Sequence, residues 1–161
     1  MSERALGAAD IPAAAELLSC DPCWADNGER PSWVLDTIAE NSNGEHSALG
    51  SFAGDELRAF VSFNFVAGAD HTGAISCVAR ADEASGIAAL SAAVKELSAG
   101  GARLIVAEVP DLPEMQNYAE LLTLGGFAPE AYVKDYYADG VGMRVLVARL
   151  ANGESSPASV A

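Results

Sequence analysis

Apolar positions along the chain recur at two distinct periods. Ile11, Ala14, Ala15 and Leu18 are spaced by three or four residues, one face of an α-helix, with Asp10 placed to cap it and Pro12 at an early helical position. Asp21-Pro22 predicts its end. Pro31-Ser32 opens a second short helix carrying Trp33, Val34 and Ile38. The period then drops to two. Ser47–Phe52 and Leu57–Val66 read as strands, and in the second Phe63 and Phe65 alternate with Ser62 and Asn64, the pattern of a half-buried strand. Gly54-Asp55 marks a hairpin turn between them. Gly68-Ala69-Asp70 marks another turn, before a third strand at Gly73–Ala79. Connections this short predict an antiparallel meander.

The helical period returns at Ile87, Leu90, Val94 and Leu97, read as one buried stripe and stopped by Gly100-Gly101. Leu104–Ala107 is a short continuous apolar run, the mark of a strand covered on both faces, broken by Pro110 and Pro113. Glu114–Leu124 reads as a helix with Tyr118, Leu121 and Leu122 inward and Gly125-Gly126 as its stop. Tyr132–Tyr137 and Met143–Leu150 close the chain as a hairpin around Asp139-Gly140. With a short first strand at Arg4–Gly7, the order predicts an α/β sandwich built on a mixed sheet.

Length, 161 residues, suits one domain over residues 1–150, with 151–161 a small, polar and mobile tail. At 50% hydrophobic and 20% charged, the chain can build a core. Nine basic against 23 acidic residues give a net charge of −14. That argues against nucleic acid and anionic membranes as partners and favours a site that attracts cations. No apolar run approaches the roughly 20 residues of a membrane helix. Met1-Ser2-Glu3-Arg4 lacks the features of a signal peptide, so the chain is expected in the cytoplasm.

The segment richest in chemistry is Val78-Ala79-Arg80-Ala81-Asp82-Glu83-Ala84-Ser85-Gly86-Ile87-Ala88. A strand ends there in small residues and a helix begins. The unpaired N–H groups of a helix's first turn bind anions, and small residues let a phosphate approach the backbone. The same composition also suits an ordinary strand-to-helix connection.

Glu83-Ala84-Ser85-Gly86-Ile87-Ala88 resembles the Arg/Gln-x-x-Gly-x-Gly/Ala signature of the GNAT superfamily of N-acetyltransferases. Gly126-Phe127 after a helix, Asp135-Tyr136-Tyr137 with Asp139-Gly140, and the closing Val147-Ala148-Arg149-Leu150 are similar to the end of many bacterial members. Ala107-Glu108-Val109-Pro110-Asp111 is similar to one large group of uncharacterised members. The resemblance spans Arg4 to Leu150. It implies a mixed, mostly antiparallel central sheet flanked by about four helices. It also implies acetyl-CoA as co-substrate, no metal, and direct transfer to a small amine in a ternary complex.

Residue by residue, the resemblance implies the following. The fourth and fifth strands splay apart, and the pantetheine arm pairs with main-chain groups around Cys77, Val78 and Ala79. The Val78 N–H serves as oxyanion donor, and Ala84, Ser85, Gly86, Ile87 and Ala88 hold the pyrophosphate. From its place at the end of the apolar fifth-strand run, Glu108 is read as the candidate base, with an exposed strand-end residue as the plainer role, and Tyr118, one turn before the family's tyrosine position, as the candidate acid, with core packing as the plainer role. Two positions depart from the pattern. Glu83 stands where Arg or Gln is usual, with Arg80 nearby as a compensating charge. Leu122 stands where the proton-donating tyrosine is usual. These departures motivate an alternative, a GNAT-fold module that binds a ligand or a partner without catalysis; another acyl donor is a third reading. Dimers are common in the superfamily, so a homodimer is open to this chain.

Trp24, Trp33 and Tyr136 are the candidate acceptor-site residues; strand alternation puts Tyr137 on the face opposite Tyr136. Aromatic anchoring of short helices is the plainer role for the two tryptophans. Cys20-Asp21-Pro22-Cys23 follows a helix instead of opening one, the wrong context for a redox pair, and reads as two loop cysteines. Cys77 reads as a buried strand residue.

Overall fold

The structure, a computed structural model, describes residues 1–25, 30–40 and 46–151. The tail from Gly153 to Ser159 lies outside the described residues. Among the described residues, seven strands and four α-helices follow one another along the chain. They run β1 (Ser2–Ala5), α1 (Ile11–Cys20), α2 (Arg30–Glu40), β2 (Ser47–Ala53), β3 (Glu56–Phe65), β4 (Thr72–Arg80), α3 (Glu83–Ala99), β5 (Leu104–Pro110), α4 (Gln116–Leu124), β6 (Ala128–Ala138) and β7 (Val141–Arg149). One sheet joins all the strands in the order β1-β2-β3-β4-β5-β7-β6. Only β4 and β5 pair in parallel; every other pairing is antiparallel. The predicted meander is β2-β3-β4, turned at Gly54.

Helix stops follow local chemistry. Gly101 and Gly126 adopt φ of 93° and 95°, the left-handed geometry that ends a helix and favours glycine. Ala102 N–H then donates to Leu97 O, and Phe127 N–H to Leu122 O, satisfying carbonyls of the last turns. Asp10 precedes α1, but its carboxylate does not cap it. It accepts the Gly7 N–H at 2.9 Å and pairs with Arg4 at 2.8 Å, clamping β1 to the 3₁₀ turn before the helix.

Three expectations are corrected. β3 is not half-buried: Ala59 to Phe63 are all buried, Ser62 included, while Phe65 is exposed. Helices α1 and α3 both pack against this strand, so it has no solvent face. The buried stripe of α3 is Gly86, Ala89, Leu90, Ala93 and Leu97; Ile87 and Val94 flank it half-buried. Small residues face the sheet because the helix approaches it closely. β5 is not covered on both faces. Ile105, Ala107 and Val109 are buried, but Val106 is half-buried and Glu108 exposed. At the edge of the sheet, β6 has every residue exposed. Among the described residues, no helix is long and apolar enough to cross a membrane.

Candidate active site

The sheet opens where its only parallel pair diverges. Pairing of β4 with β5 ends at Ile75 with Ala107, although β4 continues to Arg80 and β5 to Pro110. The cause lies on the other side of β4. Ser62 and Phe63 of β3 pair with Cys77 and Ile75, so Ser76 is an extra residue that bulges the strand. A bulge bends its strand and raises the local twist. Here it steers β4 away from β5.

Beside this divergence lies a cavity of about 420 Å³, within the size range of small-molecule sites. Its walls include Trp24, Trp33, Ser76, Val106, Tyr137 and Glu108. Glu108 is the only charged side chain among the described lining residues. Strand alternation puts it there: Val106 and Glu108 share the face of β5 that opens to the cavity.

Cys77, Val78 and Ala79 are fully buried on the diverging part of β4. An extended residue turns its N–H and C=O to the same strand edge, so Val78 N–H faces the gap beside its carbonyl. That carbonyl is not bare: Trp24 Nε1–H donates to it at 2.8 Å. Trp24 is only 3% exposed and meets Tyr118 of α4 edge to face, ring centroids 5.1 Å apart. Trp24 therefore does more than line an acceptor pocket. It fills the gap between the strands and reaches α4.

Two residues the sequence reading missed complete the arrangement. Asp21, read only as a helix stop, is a buried carboxylate that accepts the Arg80 N–H at 3.0 Å and the Cys23 N–H at 2.9 Å. Tyr137, placed opposite Tyr136, lines the cavity instead of Tyr136. The register of β6 with β7 is irregular between Val133 and Ala138, where Asp135 has φ of 53°. The two rings meet edge on at 4.9 Å, with Tyr136 54% exposed. Trp33, 38% exposed, reaches the cavity from α2.

Ala84, Ser85, Gly86, Ile87 and Ala88 form the first turns of α3. Asp82 caps this helix, accepting the Ser85 N–H at 2.8 Å and the Ser85 hydroxyl at 2.9 Å, and pairs with Arg58 at 3.0 Å. Chiefly the Ser85 N–H, with Arg58 beside it, holds the Asp82 carboxyl below the usual carboxylate range. Arg80 lies over Gly86: a Cβ there would come within 2.6 Å of Arg80 Cδ. Its Nη2 donates to Asn117 O of α4 at 3.1 Å, while Nη1 is buried without a partner. Among the described residues, no cluster of His, Cys, Asp or Glu could hold a metal ion.

Asp82→Ala is expected to cost about 1 kcal/mol, the usual worth of such a cap. Because folding lowers the Asp82 pKa, this contribution is fully present above the unfolded value of about 4 and fades as pH falls through the folded one. Melting curves of both proteins should therefore converge in acid.

Val78 O, Arg80 N–H and Ser85 N–H, main-chain groups of the gap and of the α3 turn, each have a partner in this chain.

No family model and no curated protein sequence matches the chain. Solved structures do. A GNAT-family structure from Desulfovibrio desulfuricans is 15% identical over 92% of this chain and 98% of its own, with a TM-score of 0.82. The aminoglycoside 6'-N-acetyltransferase from Enterococcus faecium is 13% identical over 92% and 97%, with a TM-score of 0.73. An acetyltransferase from Bacillus subtilis, solved in complex with CoA, is 16% identical over 69% and 81%, with a TM-score of 0.58. At such identities the likeness is one of architecture, and with the sheet order, the diverging parallel pair and the strand-to-helix turn after it, the chain has the GNAT N-acetyltransferase fold.

Proposed function

We propose that the protein transfers an acetyl group from a CoA thioester to a small cationic amine bound beside Glu108. One observation carries this reading: the cavity opens at the β4–β5 divergence of a GNAT fold, with aromatic walls and a single carboxylate. An ammonium group suits those walls. It is attracted by Glu108, by aromatic faces, and by the field of a chain with net charge −14. The Enterococcus faecium neighbour takes an aminoglycoside, also an amine, which agrees with this class of acceptor.

An ammonium cannot attack a carbonyl until it loses a proton. Glu108, on the cavity face of β5, is the group to take it, directly or through a water. Acetyl-CoA, when bound, supplies the activated acetyl group. Val78 N–H faces the gap as the candidate oxyanion donor. Tyr118, across the gap on α4, is the candidate proton donor to the leaving thiolate.

The test is release of free CoA from acetyl-CoA against a panel of mono- and polyamines. Amine-dependent release with a mass increase of one acetyl group supports the reading. No release with any amine rejects it. A second reading, a ligand-binding module without catalysis, is favoured by the side chains that hold Val78 O and Arg80 N–H and by Asp82 and Glu83 at the α3 turn. It predicts calorimetric binding of an amine with acetyl-CoA left intact.

A further inference from the structure

We propose that the elbow after α1, Asp21 to Trp24, is a latch occupying the donor slot, and that a CoA thioester binds only by displacing it. The inference rests on the transferase reading above, which uses the Trp24 ring only as a cavity wall, and assigns Asp21 and Trp24 a regulatory role.

Part of β4 presents an unpaired strand edge. Beyond Ile75, β4 has no β5 partner, yet its main-chain groups must be satisfied. Two side chains of the elbow do this. Trp24 Nε1–H bonds Val78 O and Asp21 Oδ2 accepts Arg80 N–H, at residues two apart and so on one edge. The elbow is itself a compact unit hung on Asp21. The Asp21 carbonyl accepts the Trp24 and Ala25 N–H groups at 2.9 Å, and its Oδ1 accepts Cys23 N–H at 2.9 Å. On its far side the Trp24 ring packs edge to face on Tyr118 of α4.

A second set of contacts closes the outer end. Arg80, whose N–H the elbow holds, lays its side chain over Gly86 and anchors on Asn117 O. Latch and turn are thus linked through one residue.

Such a latch lowers apparent donor affinity by the fraction of molecules in which it is open. Its bonds are ones an extended amide-bearing ligand could replace, since they involve only strand main chain. The elbow also carries its own reporter. Cys23 is buried, and its thiol is pushed up to about 11, first by burial and then by the Asp21 charge beside it. Alkylation of Cys23 is therefore slow while the latch is shut.

The probe is desulfo-CoA, which carries no thiol to compete for the reagent, titrated into the full chain. A Cys20→Ser background removes the exposed neighbouring thiol, and peptide mass separates Cys23 from Cys77. The latch predicts that saturating desulfo-CoA raises Cys23 alkylation at least about tenfold. It also predicts that Trp24→Phe, which keeps an aromatic ring but loses the bond to Val78, binds about fivefold tighter. Binding by Trp24→Phe alone supports the latch still more directly. Binding with Cys23 alkylation and affinity both unchanged overturns the latch and leaves the transferase reading standing. No binding by either protein overturns both, and makes the elbow a permanent filling of the gap. The alkylation readout uses native Trp24, so it decides the matter even where Trp24→Phe folds poorly.

Discussion

Glu108→Gln lowers kcat for a strongly basic amine by about 10²–10⁴, the typical contribution of a positioned base, while the melting temperature stays nearly unchanged. Stability is spared because the side chain is exposed and the main chain of Glu108 keeps its pairing with Val145 in β7. Glutamine preserves shape and hydrogen bonding but cannot carry a proton away. The loss should shrink for weakly basic amines, which arrive already neutral at the assay pH. Steady-state rates across acceptors of graded basicity measure this. An equal loss for all acceptors would mean that Glu108 positions the amine without moving its proton. Unchanged rates would remove it from the mechanism.

Tyr118→Ala destabilises the fold by about 3–5 kcal/mol, the usual cost of deleting a buried aromatic ring. For a chain of this length that is a fall of about 10 °C in melting temperature. Tyr118 is 1% exposed and packs against Trp24, so its loss leaves a void beside the Trp24 ring. Tyr118→Phe separates packing from chemistry, since it keeps the ring. Thermal denaturation should show a cost below about 1.5 kcal/mol for this variant, and turnover should fall if the hydroxyl protonates the thiolate. Full activity in Tyr118→Phe would confine Tyr118 to packing. Leu122, one turn later, offers no substitute, because it is fully buried and has no proton to give.

Much of the architecture is written locally. Three- and four-residue spacing placed α1, α3 and α4, and paired glycines ended the last two, since only a left-handed residue there lets the chain turn back. Gly54 turned the first hairpin of the meander. Glu108 was legible as a strand-end carboxylate, and the α3 turn as a run of small residues. Each of these signals involves residues within one or two turns of each other.

The site itself was decided by tertiary structure. The divergence of β4 from β5 follows from a bulge at Ser76, which shows only in its pairing with β3. Alternation separates Tyr136 from Tyr137 but does not say which of them meets the cavity, and the structure makes it Tyr137. Trp24 bonds to Val78 across 54 positions, and Asp21 to Arg80 across 59. A single side chain that satisfies a distant strand edge leaves no period in the sequence. Local spacing could therefore specify the elements and their ends, whereas the unmet main-chain groups of β4, and what satisfies them, exist only once the sheet has formed.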